Sequence, residues 1–156
     1  MTPAIRLLES RGIVHEVTSY TADDGSSGYG QAAVAALSLP AESVFKTLMA
    51  KLDDGRLVVA LVPVSGSLDL KVLAKAAGAR KAHMAAAPEA ERATGYAVGG
   101  ISPIGQKKRL SVYIDQSALD LPRIHVSGGR RGLELSLAPA DLVSLTGARP
   151  TALAKE

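Results

Sequence analysis

The 156-residue sequence contains no cysteine. That absence excludes a disulfide framework, thiolate-ligated zinc, an iron–sulfur centre and a protein thiol as nucleophile. Tryptophan is missing as well, and one Phe and four Tyr bring the aromatics to only 3%. A platform that stacks successive single-stranded bases needs more rings than this. The three histidines, His15, His83 and His125, share no metal-ligand spacing such as H-x-x-x-H, so no metal site is expected. Long apolar runs are lacking too. The longest, Leu57 to Val64, contains Pro63 and falls well short of the roughly 20 residues that span a bilayer. The first residues show no basic stretch followed by a long apolar one. A soluble, cytoplasmic protein with no membrane association is therefore expected. Among catalytic motifs, G-x-S-x-G, H-E-x-x-H and G-x-x-x-x-G-K-[ST] are all absent, which removes the commonest signatures of serine hydrolases, zinc proteases and P-loop enzymes.

What is present is an ordinary globular composition, 47% hydrophobic and 21% charged. A chain of this length buries roughly 70% of its unfolded surface, enough for a core without staples. No internal repeat and no long linker divides it, so one domain over residues 1–156 is expected. Eighteen Lys and Arg against fifteen Asp and Glu give a net charge of +3. That excess is too small to coat a long duplex but suits a short, local phosphate contact.

Thr2 and Pro3 open a short helix as cap and first residue, with Gly12 as its stop. Ile13 to Tyr20 reads as a strand, Asp23 to Gly28 as a polar loop, and Gln31 to Leu37 as an alanine-rich helix ended by Pro40. Val44 to Leu52 and Arg56 to Val64 flank Asp53-Asp54-Gly55, a hairpin signal, with Pro63 at a strand end. Ser67 reads as the cap of a helix from Leu68 to Ala77, Lys81 to Met84 as a short strand, and Pro88 as the start of a brief helix that ends near Gly95. Gly95 to Gly105 carries too much glycine and proline for regular structure. Strands at Ser111–Asp115, Arg123–Ser127 and Leu133–Leu137 precede a last helix from Pro139 to Leu145, and Thr151 to Glu156 reads as a fraying end. The fold class that follows is α+β: a mixed, largely antiparallel sheet with flanking helices.

Few side chains offer chemistry. Gly99-Gly100-Ile101-Ser102-Pro103-Ile104-Gly105 is either a tight structural turn or a loop whose backbone amides approach an anion. Gln106-Lys107-Lys108-Arg109 follows it as a solvated charge run or a phosphate contact. Ser127-Gly128-Gly129-Arg130-Arg131-Gly132 needs no function as a hairpin turn; as a site it supplies amides, a hydroxyl and guanidinium groups suited to phosphate or ribose. Lys46 lies within the apolar strand Val44-Phe45-Lys46-Thr47-Leu48 and is either an edge lysine in water or one drawn into a pocket to meet an anion. Tyr20 closes a strand, and His125 alternates with Arg123 as an exposed side chain. Thr2 is a cap remote from these motifs in sequence.

Met1-Thr2-Pro3-Ala4, Val44-Phe45-Lys46-Thr47-Leu48, the segment from Thr94 to Arg109 and Val126-Ser127-Gly128-Gly129-Arg130-Arg131-Gly132-Leu133 closely resemble the YbaK (EbsC) family. Its members are free-standing aminoacyl-tRNA deacylases, similar to the editing domain inserted in bacterial prolyl-tRNA synthetase. The resemblance runs from Met1 to about Leu145 and keeps the family's motif order. It implies a pocket with Lys46, Gly99 and Gly100 as catalytic groups and Tyr20, Thr47, Ser127, Gly128, Gly129, Arg131 and Glu134 as substrate-binding ones. Glu134 stands where the family carries an aspartate, with the same charge on a longer side chain. The activity implied is trans-editing of Cys-tRNA(Pro), with the substrate's own thiol attacking its ester and leaving as a thiolactone, and with no cofactor. Alanine attached to tRNA(Pro) is the alternative substrate, and a non-catalytic RNA-end or nucleotide-binding module of the same fold the alternative role. The implied partners are the 3′ end of tRNA(Pro) and, transiently, prolyl-tRNA synthetase. Editing is physically warranted, because a small apolar difference supports only about 10–200-fold discrimination at a synthetic site.

Overall fold

A computed structural model describes residues 1–21 and 30–155; the Asp23–Gly28 loop expected from sequence lies outside the described residues. Helix α1 (Pro3–Ser10) begins where Thr2 accepts a hydrogen bond from the Ile5 amide, with Pro3 at its first position. Strand β1 (His15–Ser19) and helix α2 (Gln31–Leu37) follow. Helix α2 ends at Ser38, in a left-handed conformation, before Pro40 is reached. Strands β2 (Phe45–Leu52) and β3 (Leu57–Pro63) form the expected hairpin, with Gly55 at φ 93° in its turn and Pro63 closing β3.

The next segment corrects the sequence reading. Ser67 and Leu68 form a short strand, β4, and helix α3 (Leu70–Ala76) starts two residues later than the expected helix. Asp69 is its cap, because the carboxylate accepts from the amides of both Lys71 and Val72, while Leu68 is held in a ladder with Ala154. Strand β5 (Ala82–Met84) and helix α4 (Ala87–Thr94) lead into the irregular glycine segment. Strands β6 (Ser111–Asp115), β7 (Ile124–Ser127) and β8 (Leu133–Leu137) then precede helix α5 (Pro139–Thr146).

Residues 151–155 do not fray. Arg149–Thr151 forms strand β9 beside β6, and Ala154–Lys155 forms strand β10 beside β4. Leu153 is fully buried between them. One oxygen of the buried Asp115 carboxylate accepts from the amides of Leu153 at 3.0 Å and Ala154 at 2.9 Å; the other accepts from the amide and hydroxyl of Ser117.

Among the described residues the strands form three sheets, ordered β5-β2-β3-β6-β9, β1-β8-β7 and β10-β4. Pairing is antiparallel except at β3–β6 and β6–β9, and the class is the α+β arrangement expected. Strands β2 and β3 read as nearly continuous apolar runs because both faces of their sheet are covered. On one face Phe45, Met49, Val59 and Leu61 join a core with Leu8, Ile124, Val126, Leu135, Leu137 and Leu142. On the other, Leu48, Ala50, Val58 and Val62 join Leu73, Tyr113 and Leu153.

The β1-β8-β7 sheet is two-faced. Ile124, Val126, Leu135 and Leu137 turn to the core. By alternation, Glu134 and Ser136 turn the other way, and their paired neighbours Thr18, Glu16, Ser127 and His125 share that polar face.

Candidate active site

A cleft opens where the polar face of the β1-β8-β7 sheet meets the start of β2. It is lined by Tyr20 just after β1, Gly30 before α2, Phe45, Lys46 and Thr47 on β2, Gly99 and Ile101 in the glycine segment, Ser127 at the end of β7 and Glu134 on β8. Six residues singled out from sequence therefore share one cleft: Tyr20, Lys46, Thr47, Gly99, Ser127 and Glu134. Lys46 is a half-buried member of its wall. Gly30, Phe45 and Ile101 were not anticipated. Phe45 and Ile101 carry only the apolar signal of core residues, and Gly30 resembles any glycine before a helix.

Gly100, Gly128, Gly129 and Arg131 do not line the cleft; they build its wall. The Gly100 amide donates to the Ala97 carbonyl at 2.9 Å, and a Cβ on Gly100 would meet the backbone of Arg130 and Arg131. Gly99, at φ 96°, has Arg131 alongside: its absent Cβ would lie 3.6 Å from the guanidinium Nη1. The Gly128 amide closes the β7–β8 turn on the Leu133 carbonyl, and the Gly129 amide donates to the Ser127 hydroxyl. Gly129, at φ 110°, packs against the Tyr96 ring and Thr2. Thr2 is thus not remote in space. Its hydroxyl caps α1 and also donates to the Gly128 carbonyl, tying the first helix to the arginine-bearing turn. The buried Tyr96 hydroxyl donates to the Ile104 carbonyl at 2.7 Å and pins the far end of the glycine segment.

Burial works against both charges in the cleft. Burial lowers the pKa of Lys46 and pushes the Glu134 carboxyl up to about 8, since a low-dielectric surrounding disfavours either charge. No ion pair joins the two among the described residues. The Thr47 hydroxyl is buried with no hydrogen-bond partner among them. A buried polar atom of this kind is uncommon in a folded protein.

Behind Glu134 a second cleft is lined by Glu16, Thr18, Leu37, Leu39, His125 and Ser136. His125 is half-buried here rather than exposed, because Leu37 at the end of α2 and Leu39 just after it shelter the polar sheet face. Burial first, then the nearby Arg123 charge, lowers its pKa, against the pull of Glu16. Arg123 donates to the hydroxyl and carbonyl of Ser136 and pairs with Glu16. Lys107, Lys108 and Arg109 lie exposed, as do Lys71, Lys75, Arg80 and Lys81. Among the described residues no group of His, Asp and Glu converges to hold a metal ion, and no helix is long and apolar enough to cross a membrane.

Residues 28–145 match the family of aminoacyl-tRNA editing domains. The chain belongs to that family. An editing domain removes an amino acid from tRNA by hydrolysing the ester that joins them, so this editing domain is an aminoacyl-tRNA deacylase. It is 36% identical, over 93% of its own length and 88% of the relative's, to EbsC of Enterococcus faecalis, named as a proposed Cys-tRNA(Pro)/Cys-tRNA(Cys) deacylase. Among solved structures it is similar to a proposed trans-editing enzyme for prolyl-tRNA synthetase, with a TM-score of 0.84, 26% identity and 100% and 99% of the two chains covered. A hypothetical protein of solved structure shares the fold at a TM-score of 0.86 and 23% identity, with 99% and 100% covered. The family resemblance read from the Lys46, Gly99–Gly100 and Ser127 motifs is thereby borne out.

Proposed function

We propose that this deacylase acts in trans on cysteine wrongly attached to tRNA(Pro), and that the substrate's own thiol breaks the ester. The observation that carries the reading is the composition of the cleft. Its described lining offers an ammonium, hydroxyls, a carboxyl and the backbone amide of Gly99, but no thiol and no imidazole. Such a set can orient and polarise an ester without supplying a conventional nucleophile and base. The name carried by EbsC, a relative over most of the chain, points the same way.

The reaction then proceeds with few demands on the protein. The thiol sulfur attacks the carbonyl carbon of its own ester. A carbon–sulfur bond forms and the carbon–oxygen bond to the terminal ribose breaks. The thiol proton ends on the ribose oxygen, leaving tRNA with a free hydroxyl and a cyclic cysteine thiolactone that water opens to cysteine. A well-aligned intramolecular attack has an effective molarity of about 10⁵–10⁸ M, so orientation supplies much of the rate. The Gly99 amide, which donates to no group among the described residues, is the donor for the developing oxyanion. The Gly100 amide is already engaged with Ala97 and has no such part. Lys46 holds the terminal ribose or its phosphate, with Thr47, Ser127 and Tyr20 completing the pocket.

The test is a panel of esters on tRNA(Pro). Cysteine should be released quickly, proline spared, and S-methylcysteine, which has no free thiol, should resist. Rapid release of alanine with cysteine untouched would make alanine the substrate, and loss of proline alone would overturn the reading. Selectivity for tRNA(Pro) is assigned to a transient complex with prolyl-tRNA synthetase. The isolated protein should therefore act on cysteine attached to several tRNAs, and adding the synthetase should focus it on one.

A further inference from the structure

Glu134 is the cleft residue whose situation the reaction as written leaves unexplained. It sits on β8, the middle strand of its sheet, between Thr18 and Ser127. It is only 5% exposed, yet among the described residues its carboxyl has no hydrogen-bond or ion-pair partner. Of the described residues that line the cleft it is the one acid. The charged and titratable groups around it are Lys46 on β2 and Tyr20 after β1 in the first cleft, with Glu16 and His125 in the second. None of these pairs with it. A carboxyl buried without a partner is costly to the fold. Its place in a cleft that also holds a lysine is accounted for if the partner arrives with the substrate.

An aminoacyl ester brings such a partner. Its α-amino group is two bonds away from the carbonyl carbon under attack, and α-amino groups titrate close enough to neutrality that a substantial share of it is protonated at pH 7. We propose that the Glu134 carboxyl receives the α-amino group of the aminoacyl ester and so fixes which way the carbonyl faces. The inference rests on the deacylase reading of the same cleft. The pair is neutral overall wherever its shared proton sits, so no net charge is buried. Amine to Glu134 and ribose or phosphate to Lys46 give the substrate a single polarity along the cleft, with its carbonyl directed to the Gly99 amide. Glu134 is a positioning residue and makes or breaks no covalent bond.

The experiment compares two thiol-bearing oxygen esters of one tRNA, cysteinyl and 3-mercaptopropionyl. The second keeps the thiol and carbonyl but lacks the amine and adds no bulk. Each enzymatic rate is divided by that ester's uncatalysed hydrolysis rate, which removes the amine's own effect on reactivity. The unmodified protein should prefer the cysteinyl ester by about 10–150-fold, the range of one charge-assisted contact expressed in the transition state. Glu134→Gln should lose that preference and treat both esters as the unmodified protein treats the amine-free one, and Glu134→Asp should recover part of it. Equal normalised rates in the unmodified protein would overturn the inference while leaving the deacylase reading intact. A preference that survives in Glu134→Gln would overturn it too, since the amine would then be read elsewhere. Cleavage of neither ester would remove the thiol-dependent deacylase reading and this inference with it. The comparison within the unmodified protein decides the matter even if a variant fails to fold.

Discussion

Gly100 rests directly on Arg130: a Cβ at Gly100 would lie 2.6 Å from the Arg130 Cα and 2.8 Å from its carbonyl carbon. Backbone cannot swing aside as the tip of a side chain can. Gly100→Ala should therefore separate the glycine segment from the β7–β8 turn, at about 1–3 kcal/mol, the range seen for overpacking. Deacylation should fall even at temperatures where the variant is folded, because Gly99 moves with its neighbour. Chemical denaturation and a single-turnover assay check the two halves. A variant as stable and as active as the unmodified protein would show that the two segments are not packed this way.

Lys46→Ala separates binding from folding. Burial already disfavours the Lys46 ammonium, so removing it should leave the melting temperature unchanged or slightly raised. Deacylation should fall about 10–150-fold, as for loss of one charge-assisted contact in the transition state. Lys46→Arg should restore little, because a planar guanidinium does not occupy the place of a compact ammonium. Activity of Lys46→Ala within about threefold of the unmodified protein would return the residue to a structural role.

Glu134 makes stability depend on pH. Its carboxyl titrates at about 8 in the fold, against an ordinary value of 4.5 for a solvated glutamate. Between those values the folded state holds the extra proton, so stability falls as pH rises, by up to about 1.4 kcal/mol per unit. Below the lower value both states are protonated and the penalty vanishes; above the upper value it is complete. Glu134→Gln cannot ionise and should gain on the unmodified protein steadily from about pH 5 to about pH 9. Thermal melts across that range should diverge. Parallel curves would mean that the carboxyl is solvated in the fold.

The Asp115 carboxylate holds the end of the described chain in place. Asp115→Ala leaves the amides of Leu153 and Ala154 without an acceptor, at a combined cost of roughly 2–5 kcal/mol. Leu153→Ala opens a cavity under the same strands and should cost about 2–5 kcal/mol. The two act on one latch, so the double variant should lose less than the sum. Strict additivity by urea denaturation would argue that β10 is held from elsewhere.

Much of the fold is legible without coordinates because the signals are local. Asp53-Asp54-Gly55 between two apolar runs, Thr2-Pro3 and the alanine-rich stretch from Gln31 to Leu37 each report on their own neighbourhood. Strands β4 and β10 are not legible, since two residues have no period and their pairing depends on a partner far along the chain. Ser67 and Asp69 are both plausible caps by composition, and only the ladder at Leu68 decides between them. In the cleft, Lys46, Gly99, Ser127 and Glu134 are found through motifs. The shelter of His125 under α2 and the reach of Thr2 to the Gly128 carbonyl are tertiary facts with no sequence signal.

The two-faced β1-β8-β7 sheet also separates two kinds of variation. Leu133, Leu135, Leu137, Ile124 and Val126 carry buried packing, while Glu16, Thr18, His125, Ser127, Glu134 and Ser136 carry the clefts. Because the two sets alternate along the same strands, a combinatorial library confined to the polar set could redirect what the clefts accept while every oily neighbour stays as it is. Drift in substrate choice among related chains could then run through this sheet without passing through an unfolded ancestor.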